Sequence, residues 1–331
     1  MPAAQLYTNT PLDMPVEVIN GKQPGPTLLV CAAIHGDELN GVEIVRRLRA
    51  LKAIDRLSGT LVLVPIVNLF GFIHQSRYLP DRRDLNRSFP GSEKGSLASR
   101  FANLFFHEVV SRCTHIIDLH TGAIHRENLP QARASLNEPG VEAMALAFGM
   151  PVIVNAGITE GTLRCEAGKL GIPVVTYEAG EALRLDEKSI VAGVRGIVNV
   201  MRSIGMLAPL KRRSAPKRVI AEPFVAQSTS WFRANADGLF RPVTRLGARV
   251  SKGDVLGVIA APYGEQETLL ESPRAGIVIG MNNMPLVNEG EALYHIATFE
   301  ESDALIEGEI TAQQEAMERD PLYDITDTSA A

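Results

Sequence analysis

The sequence has few of the features that mark secreted, membrane or nucleic-acid-binding proteins. Only three cysteines occur in 331 residues, and their odd number and wide spacing favour buried free thiols over a disulfide framework. No apolar run reaches the roughly 20 residues that span a bilayer, and no secretory signal is recognisable at the start. The net charge of −5 creates no field that attracts nucleic acid or an anionic membrane. We therefore expect a cytoplasmic protein with no nucleic-acid or membrane partner.

What the sequence does contain is an alternation of short apolar runs and helical patterns. The apolar runs that predict strands are 27–34, 60–67, 114–120, 151–156 and 172–180. The helical patterns cover 37–51, 96–112, where Ser96 is a suitable N-cap, and 186–205. Strands that alternate with helices predict an α/β fold, a mostly parallel mixed sheet flanked by helices. Ligands gather at the strand ends of such sheets.

The composition changes after residue 210, so we expect an α/β domain over 1–210 and a smaller all-β domain over 219–300. Segment 211–218 is basic and contains proline, which is typical of a linker. It has no interleaved aromatic residues and the chain is acidic, so we do not interpret it as a nucleic-acid-binding patch. An acidic tail, 301–331, follows the β-rich part.

The β-rich part contains an internal repeat, since residues 238–259 and 276–296 share a glycine-led strand, a turn and a second strand. The repeat resembles the biotinyl/lipoyl type of barrel-sandwich domain, whose carrier members present a lysine at a hairpin tip. The matching stretch here is Met281-Asn282-Asn283-Met284. Because it has no lysine, we disfavour a carrier function.

Two histidines and a glutamate stand where strands end. His35 and Glu38 are three residues apart after the first strand, a spacing that can bring both side chains to one metal ion. His120 ends the strand 114–120, and Asp118 projects from the same face, where it can hydrogen-bond a ligand. The plainer alternatives are that Asp37 or Glu38 caps the following helix and that His120 is a core histidine.

Two further stretches carry charge. Glu178 follows β-branched residues, and a carboxylate buried there without a partner would be costly, so it is paired with a cation or has a chemical role. The loop 77–91 is rich in arginine, and guanidinium groups suit bidentate recognition of carboxylates, although a solvated loop is the plainer interpretation.

Together, His35, Glu38 and His120 make a three-ligand zinc set with an open fourth position, which is the catalytic arrangement. Zinc lowers the pKa of bound water to about 7. A free carboxylate such as that of Glu178 can take the proton of that water and return it to a leaving group.

The motifs H-G-D-E (35–38), D-L-N-R-S-F-P-G (84–91), D-L-H-T-G (118–122) and E-A-G (178–180), in this order, resemble the succinylglutamate desuccinylase/aspartoacylase family. This is a branch of the zinc carboxypeptidase superfamily, and the resemblance covers roughly residues 25–205. It implies one zinc ion per chain, held by His35, Glu38 and His120, and Glu178 as general base and acid.

The resemblance also implies substrate contacts. It matches Asn86 and Arg87 to a pair that binds a substrate carboxylate, and Arg77 to the arginine that polarises the scissile carbonyl. Arg82 and Arg83 lie in the same loop, so which arginine faces the carbonyl stays open. Further positions that resemble site residues are Arg164, as a second carboxylate contact, and Tyr294, as a residue from the C-terminal domain.

The function that follows from the resemblance is a zinc-dependent hydrolase acting on the amide bond of a small N-acyl amino acid with at least one carboxylate. A metallocarboxypeptidase acting on short peptides or cell-wall fragments would use the same metal ligands. A non-catalytic binding protein is disfavoured, because such proteins usually lose a ligand or the base. A homo-oligomer is compatible with the sequence, which does not identify the acyl group or the amino acid.

Overall fold

The computed structural model describes residues 1–209, 223–264, 267–300 and 303–319. The strands are β1 (Pro2–Gln5), β2 (Pro11–Asp13), β3 (Glu17–Asn20), β4 (Gln23–Ala32), β5 (Ser58–Val64), β6 (His115–Gly122), β7 (Arg126–Ala134), β8 (Val152–Asn155), β9 (Val174–Glu181), β10 (Phe224–Ala226), β11 (Ser228–Arg233), β12 (Gly238–Pro242), β13 (Arg249–Val250), β14 (Val255–Ala260), β15 (Glu267–Glu271), β16 (Gly276–Asn282), β17 (Leu286–Val287) and β18 (Ala292–Thr298). The α-helices are α1 (Asn40–Arg49), α2 (Leu69–Ile73), α3 (Leu97–Glu108), α4 (Val141–Phe148), α5 (Leu163–Lys169), α6 (Glu187–Ser203) and α7 (Asp303–Arg319).

The central sheet is mixed, with a parallel core. Its strand order is β11-β18-β16-β7-β9-β6-β4-β5-β3. Strands β5, β4, β6 and β9 run parallel to one another, whereas β3 is antiparallel to β5 and β7 is antiparallel to β9. The five consecutive residues 28–32 of β4 are fully buried, as expected of a strand covered on both faces. The predicted fold class is therefore confirmed.

Helices cover both faces of this sheet. Helices α1, α4 and α6 pack on one face, where Ile44, Leu48, Phe148 and Ile197 belong to one buried cluster. Helices α3 and α5 pack on the other face through a second cluster. Helix α3 begins after Ser96, whose side chain accepts a hydrogen bond from the Ser99 amide, as the sequence predicts.

The C-terminal strands extend the central sheet instead of forming a detached unit. Strand β16 pairs with β7, with Gly280 opposite Asn128 and Asn282 opposite Arg126. A separate antiparallel sheet, β15-β14-β12-β17, packs against these strands around Phe240, Leu256 and Tyr294. The predicted linker 211–218 lies outside the described residues. Within the predicted tail, α7 packs Ile306 and Ile310 against the sheet.

The three cysteines are buried free thiols, as predicted. Burial raises the pKa of Cys113 to about 12. Within the described ranges, no helix has the length and apolar character needed to cross a bilayer.

The packing of α4 gives a test of the core. Phe148 is fully buried and its ring centroid lies 5.2 Å from that of Tyr177, whereas Leu146 on the same helix is 41% exposed. We expect Phe148→Ala to lower the free energy of unfolding by about 3–5 kcal/mol because it leaves a cavity. Leu146→Ala should change it by less than about 0.5 kcal/mol. Urea unfolding of both variants measures the difference, and equal changes would contradict this account of the core.

Candidate active site

The side chains of His35, Glu38 and His120 converge at the carboxyl ends of β4 and β6. Glu38 Oε1 lies 2.7 Å from His35 Nδ1, and Glu38 Oε2 lies 2.7 Å from His120 Nδ1. The two Nδ1 atoms are 3.2 Å apart. All three side chains are buried. The predicted ligand set is therefore a single cluster in which one carboxylate bridges two imidazoles.

The local backbone explains how residues 35 and 38 meet. The chain turns sharply after β4, where the amide of Glu38 donates to the carbonyl of His35. A side chain at Gly36 would overlap the backbone of Gly71 and Phe72, so the turn needs glycine at this position. Helix α1 begins only after Leu39 and has no side-chain cap. Glu38 therefore faces the histidines and does not cap the helix.

Each imidazole is oriented by a carboxylate on its other nitrogen. Asp118 Oδ2 lies 2.9 Å from His120 Nε2, as the strand spacing predicts, and Asp84 Oδ1 lies 3.2 Å from His35 Nε2. Such contacts fix the ring so that the remaining nitrogen faces the ligand position. Here both Nδ1 atoms face Glu38.

The electrostatics of the cluster favour a bound cation. Burial opposes ionisation of Glu38, but His35 and His120 outweigh it and hold the pKa of the carboxyl well below its usual range. Burial lowers the pKa of His120, but Asp118 and Glu38 outweigh it, so that this pKa lies well above its usual value. The group therefore attracts positive charge, either as protons or as a metal ion.

This donor set fits a divalent metal. One ligand atom from each residue can be chosen so that all three lie within 4.8 Å of one another. Two imidazole nitrogens and a carboxylate match the composition of catalytic zinc sites, which leave one coordination position open.

Glu178 lies beside this cluster but does not belong to it. It is on β9, directly opposite His120 of β6 in the sheet register. Asn128 Nδ2 donates to Glu178 Oε2 at 3.0 Å, and Arg133 Nη1 lies 3.9 Å from Glu178 Oε1. Glu178 lines the same pocket as the histidines. It is therefore a carboxylate close to the cluster, with one oxygen fixed by an amide.

Arg77 is the arginine of its loop that reaches the cluster. Its Nη1 lies 3.2 Å from His35 Nδ1 and 3.4 Å from Glu38 Oε1, and its Nη2 donates to Asp84 at 2.9 Å. Arg82 and Arg83 do not line the pocket, and Arg83 is 64% exposed, with its Nε 4.0 Å from Asp81.

The pocket measures about 280 Å³. Among the predicted substrate contacts, Asn86, Arg87 and Arg164 line it. The Asn86 carbonyl accepts a hydrogen bond from Arg87, and its side-chain oxygen accepts one from the Leu163 amide at 2.9 Å. Burial, with Arg133 nearby, lowers the pKa of Arg164.

Tyr294, which the family resemblance matches to a site residue, does not line this pocket. Its ring is fully buried in the β-rich core, and its hydroxyl shares its proton between the carbonyls of Thr244 and Leu256. Successive side chains of a strand face opposite sides, so the neighbouring residue His295 lines the pocket instead.

Some residues of the site were not identified from the sequence. Asp84, which contacts His35 and Arg77, could have been identified because it belongs to the quoted D-L-N-R motif. Five residues that line the pocket lie on strands with little sequence signal: Arg126, Asn128, Arg133, Trp231 and His295.

Comparisons with known proteins agree with this geometry. Residues 24–204 match the family model of the succinylglutamate desuccinylase/aspartoacylase catalytic domain. The chain is 25% identical over 300 residues to an N-alpha-acetyl-L-2,4-diaminobutyric acid deacetylase of Halomonas elongata, with 87% of this chain and 86% of that protein covered.

Two solved structures are similar throughout. The product-bound ectoine utilization protein EutE (DoeB) of Ruegeria pomeroyi is 26% identical with a TM-score of 0.79, covering 90% of this chain and 93% of that one. A succinylglutamate desuccinylase of Silicibacter sp. is 25% identical with a TM-score of 0.79, covering 91% and 93%.

The pocket wall predicts an effect of pH on stability. Burial and the Arg133 guanidinium lower the pKa of His295 to about 3, whereas an unfolded histidine has a pKa of about 6.5. The contribution of His295 to the free energy of unfolding is therefore fully present above about pH 6.5. It is lost as the pH falls toward 3, because only the unfolded state takes up the proton.

Between about pH 7 and pH 5, proton uptake by His295 in the unfolded state should lower the free energy of unfolding of the wild type by up to about 2 kcal/mol. In His295→Gln this part of the pH dependence should be absent. Chemical denaturation at several pH values measures this slope. The matched control is His107→Gln, at an exposed histidine on α3, which should keep the wild-type slope. An unchanged slope in His295→Gln would contradict the expectation.

Proposed function

Because this chain belongs to the succinylglutamate desuccinylase/aspartoacylase family, we propose that it is a zinc-dependent hydrolase that cleaves the amide bond of a small N-acyl amino acid. The observation that carries the proposal is the buried His35–Glu38–His120 cluster with Glu178 beside it in one pocket. Three buried free thiols suit a reducing compartment, and we propose that the protein works in the cytoplasm.

In this proposal the imidazoles of His35 and His120 and the carboxylate of Glu38 would hold zinc. Zinc bound there would act as a Lewis acid, which acidifies water and polarises a carbonyl. The orienting carboxylates Asp84 and Asp118 keep the imidazoles in the ligating orientation.

Glu178 is the proposed general base and acid. Asn128 donates a hydrogen bond to Glu178 Oε2, so the other oxygen, Oε1, takes the proton of the attacking water. The same oxygen returns the proton to the amide nitrogen as the C–N bond breaks. Asn128 thus keeps the carboxylate turned toward the pocket through both proton transfers.

Arginines of the pocket bind and polarise the substrate in this scheme. Arg77 donates to the carbonyl oxygen, on which negative charge develops during attack. Asn86 and Arg87 bind the substrate carboxylate, and Arg164 adds a second contact to it. A pocket of about 280 Å³ favours a small acylated amino acid over the longer peptides of a metallocarboxypeptidase.

The proposal is tested with a panel of N-acyl amino acids and one short peptide, assayed with zinc-loaded protein by released amine. N-α-acetyl-2,4-diaminobutyric acid belongs in the panel because a relative is named for it. We expect turnover of at least one acyl amino acid and little of the peptide. Turnover of the peptide alone would support the carboxypeptidase alternative instead.

Two variants then separate metal binding from proton transfer. Glu178→Gln should keep its zinc while kcat falls by about 10²–10⁴, since it removes the base, whereas His120→Ala should lose the zinc. Glu142→Gln, at an exposed position of α4, is the control for the loss of one carboxylate. Zinc content by elemental analysis and kcat are measured on the same samples, and loss of zinc from Glu178→Gln would make Glu178 a ligand.

The role of Arg77 predicts a separate effect. Arg77→Ala should lower kcat by about 10²–10³, the usual effect of removing one oxyanion donor. Arg83→Ala, in the same loop but exposed, should leave kcat nearly unchanged. If steady-state kinetics gave the opposite order, the carbonyl contact would belong to Arg83.

A further inference from the structure

Cys31 is a buried thiol to which the proposed mechanism gives no role. It lies near the end of β4, where the parallel register pairs it with Asp118 of β6. Its Sγ donates to Asp118 Oδ1 at 3.5 Å, and the carbonyl of Ile117 is farther away, at 3.8 Å. The thiol therefore contacts the carboxylate that orients His120.

Asp118 depends on this thiol for one of its two oxygens. Its Oδ2 lies 2.9 Å from His120 Nε2, and its Oδ1 accepts from Cys31. Within the described ranges no other group donates to Oδ1, and Asp118 is only 1% exposed. A buried carboxylate oxygen without a donor is costly. The Cys31 thiol is thus the protein group that satisfies this oxygen and leaves Oδ2 to the histidine.

The other orienting carboxylate, Asp84, is held by stronger donors. Its Oδ1 accepts from the amide of Asn86 at 2.8 Å, and its Oδ2 accepts from Arg77 Nη2 at 2.9 Å. A backbone amide and a guanidinium therefore hold Asp84, whereas a single neutral thiol holds Asp118. Because a thiol is a weak donor, the orientation of Asp118 should respond to a change at one residue.

The thiol keeps its proton beside the carboxylate. Burial and, next to it, the charge of Asp118 raise the pKa of Cys31 well above its usual value. A thiolate could not donate a hydrogen bond, and its charge would repel the carboxylate. The contact between Cys31 and Asp118 therefore has one polarity, with sulfur as the donor.

We propose that Cys31 is a positioning residue of the metal site: its thiol holds Asp118 with Oδ2 toward His120 and so strengthens the binding of zinc. This inference rests on the proposed zinc-dependent function. Cys31 does not line the pocket, so it neither binds the metal nor touches the substrate. It acts through the carboxylate alone.

The test is the zinc dissociation constant, measured by competition between the metal-free protein and a chromophoric chelator. Cys31→Ala should raise the Kd for zinc by about 2- to 10-fold, the effect of losing one hydrogen bond. Cys31→Ser keeps a donor at this position and should restore most of the affinity. If Cys31→Ser weakens zinc binding as much as Cys31→Ala does, the packing of sulfur is responsible and the proposal is wrong.

The matched control is Cys113→Ala. Cys113 is a buried thiol of the same hydrophobic cluster as Cys31, but it donates to the carbonyl of Val109 at 3.2 Å. Its removal takes the same atom from the same side of the sheet without changing Asp118. The Kd for zinc should therefore stay at the wild-type value, and an increase equal to that of Cys31→Ala would overturn the proposal.

A double-mutant cycle separates positioning from a general loosening of β4. Asp118→Ala removes the direct contact of His120 and should raise the Kd for zinc by about 10- to 100-fold. If the thiol acts through Asp118, adding Cys31→Ala to this variant should cause no further loss. An equal loss in both backgrounds would mean that Cys31 supports the strand and not the carboxylate.

The failure of each proposal is distinguishable. If the wild type binds zinc but hydrolyses no acyl amino acid, the deacylase function fails and the Kd values still decide the role of Cys31. If the wild type binds no zinc, the zinc site fails, and the metal-free protein is examined by NMR. The signal of the proton between His120 Nε2 and Asp118 should then shift in Cys31→Ala and return in Cys31→Ser. An unshifted signal in Cys31→Ala would overturn the positioning role.

Discussion

The bridge that Glu38 makes between two imidazoles is the interaction on which the rest of the site depends. A buried carboxylate is stable only when cations or donors surround it. Here both of its oxygens are used, one by each histidine, and the amide of Thr121 adds a donor at 3.3 Å. Because Glu38 must reach two strand ends at once, the turn after β4 and the ends of β4 and β6 are fixed relative to one another.

Further charged groups surround this bridge. Asp84 and Asp118 contact the Nε2 atoms of His35 and His120. Arg77 forms ion pairs with both Asp84 and Glu38. Each charged group is thus compensated by its neighbours. Such a network holds its members in one geometry before any substrate arrives, which is the condition for effective electrostatic catalysis.

The sequence was sufficient for the parallel strands and for the cluster at their ends. Continuous apolar runs identify strands buried on both faces, and side chains at the carboxyl ends of such strands meet at one edge, which is why residues 35, 38, 120 and 178 could be grouped. Strand β7 could not be found in this way, because Pro130 and several charged side chains interrupt its apolar pattern. Three of its polar residues, Arg126, Asn128 and Arg133, line the pocket.

The contribution of the C-terminal region also exceeded what the sequence indicates. A shift of one residue along a strand moves a side chain to the opposite face, so the sequence alone could not distinguish Tyr294, which fills a core, from His295, which faces the pocket. Asn128 likewise acquires its role only through pairing between distant strands, which places its amide against Glu178.

The pairing of β16 with β7 has a mechanical consequence. One hydrogen-bonded ladder runs from the strands that carry the cluster to the strands that carry Trp231 and His295. A hinge between the two parts would have to break that ladder, so the strand pairing opposes their relative motion. The distance between the cluster and the wall that carries Trp231 and His295 is therefore set by the sheet itself, and it limits the size of a molecule that fits between them.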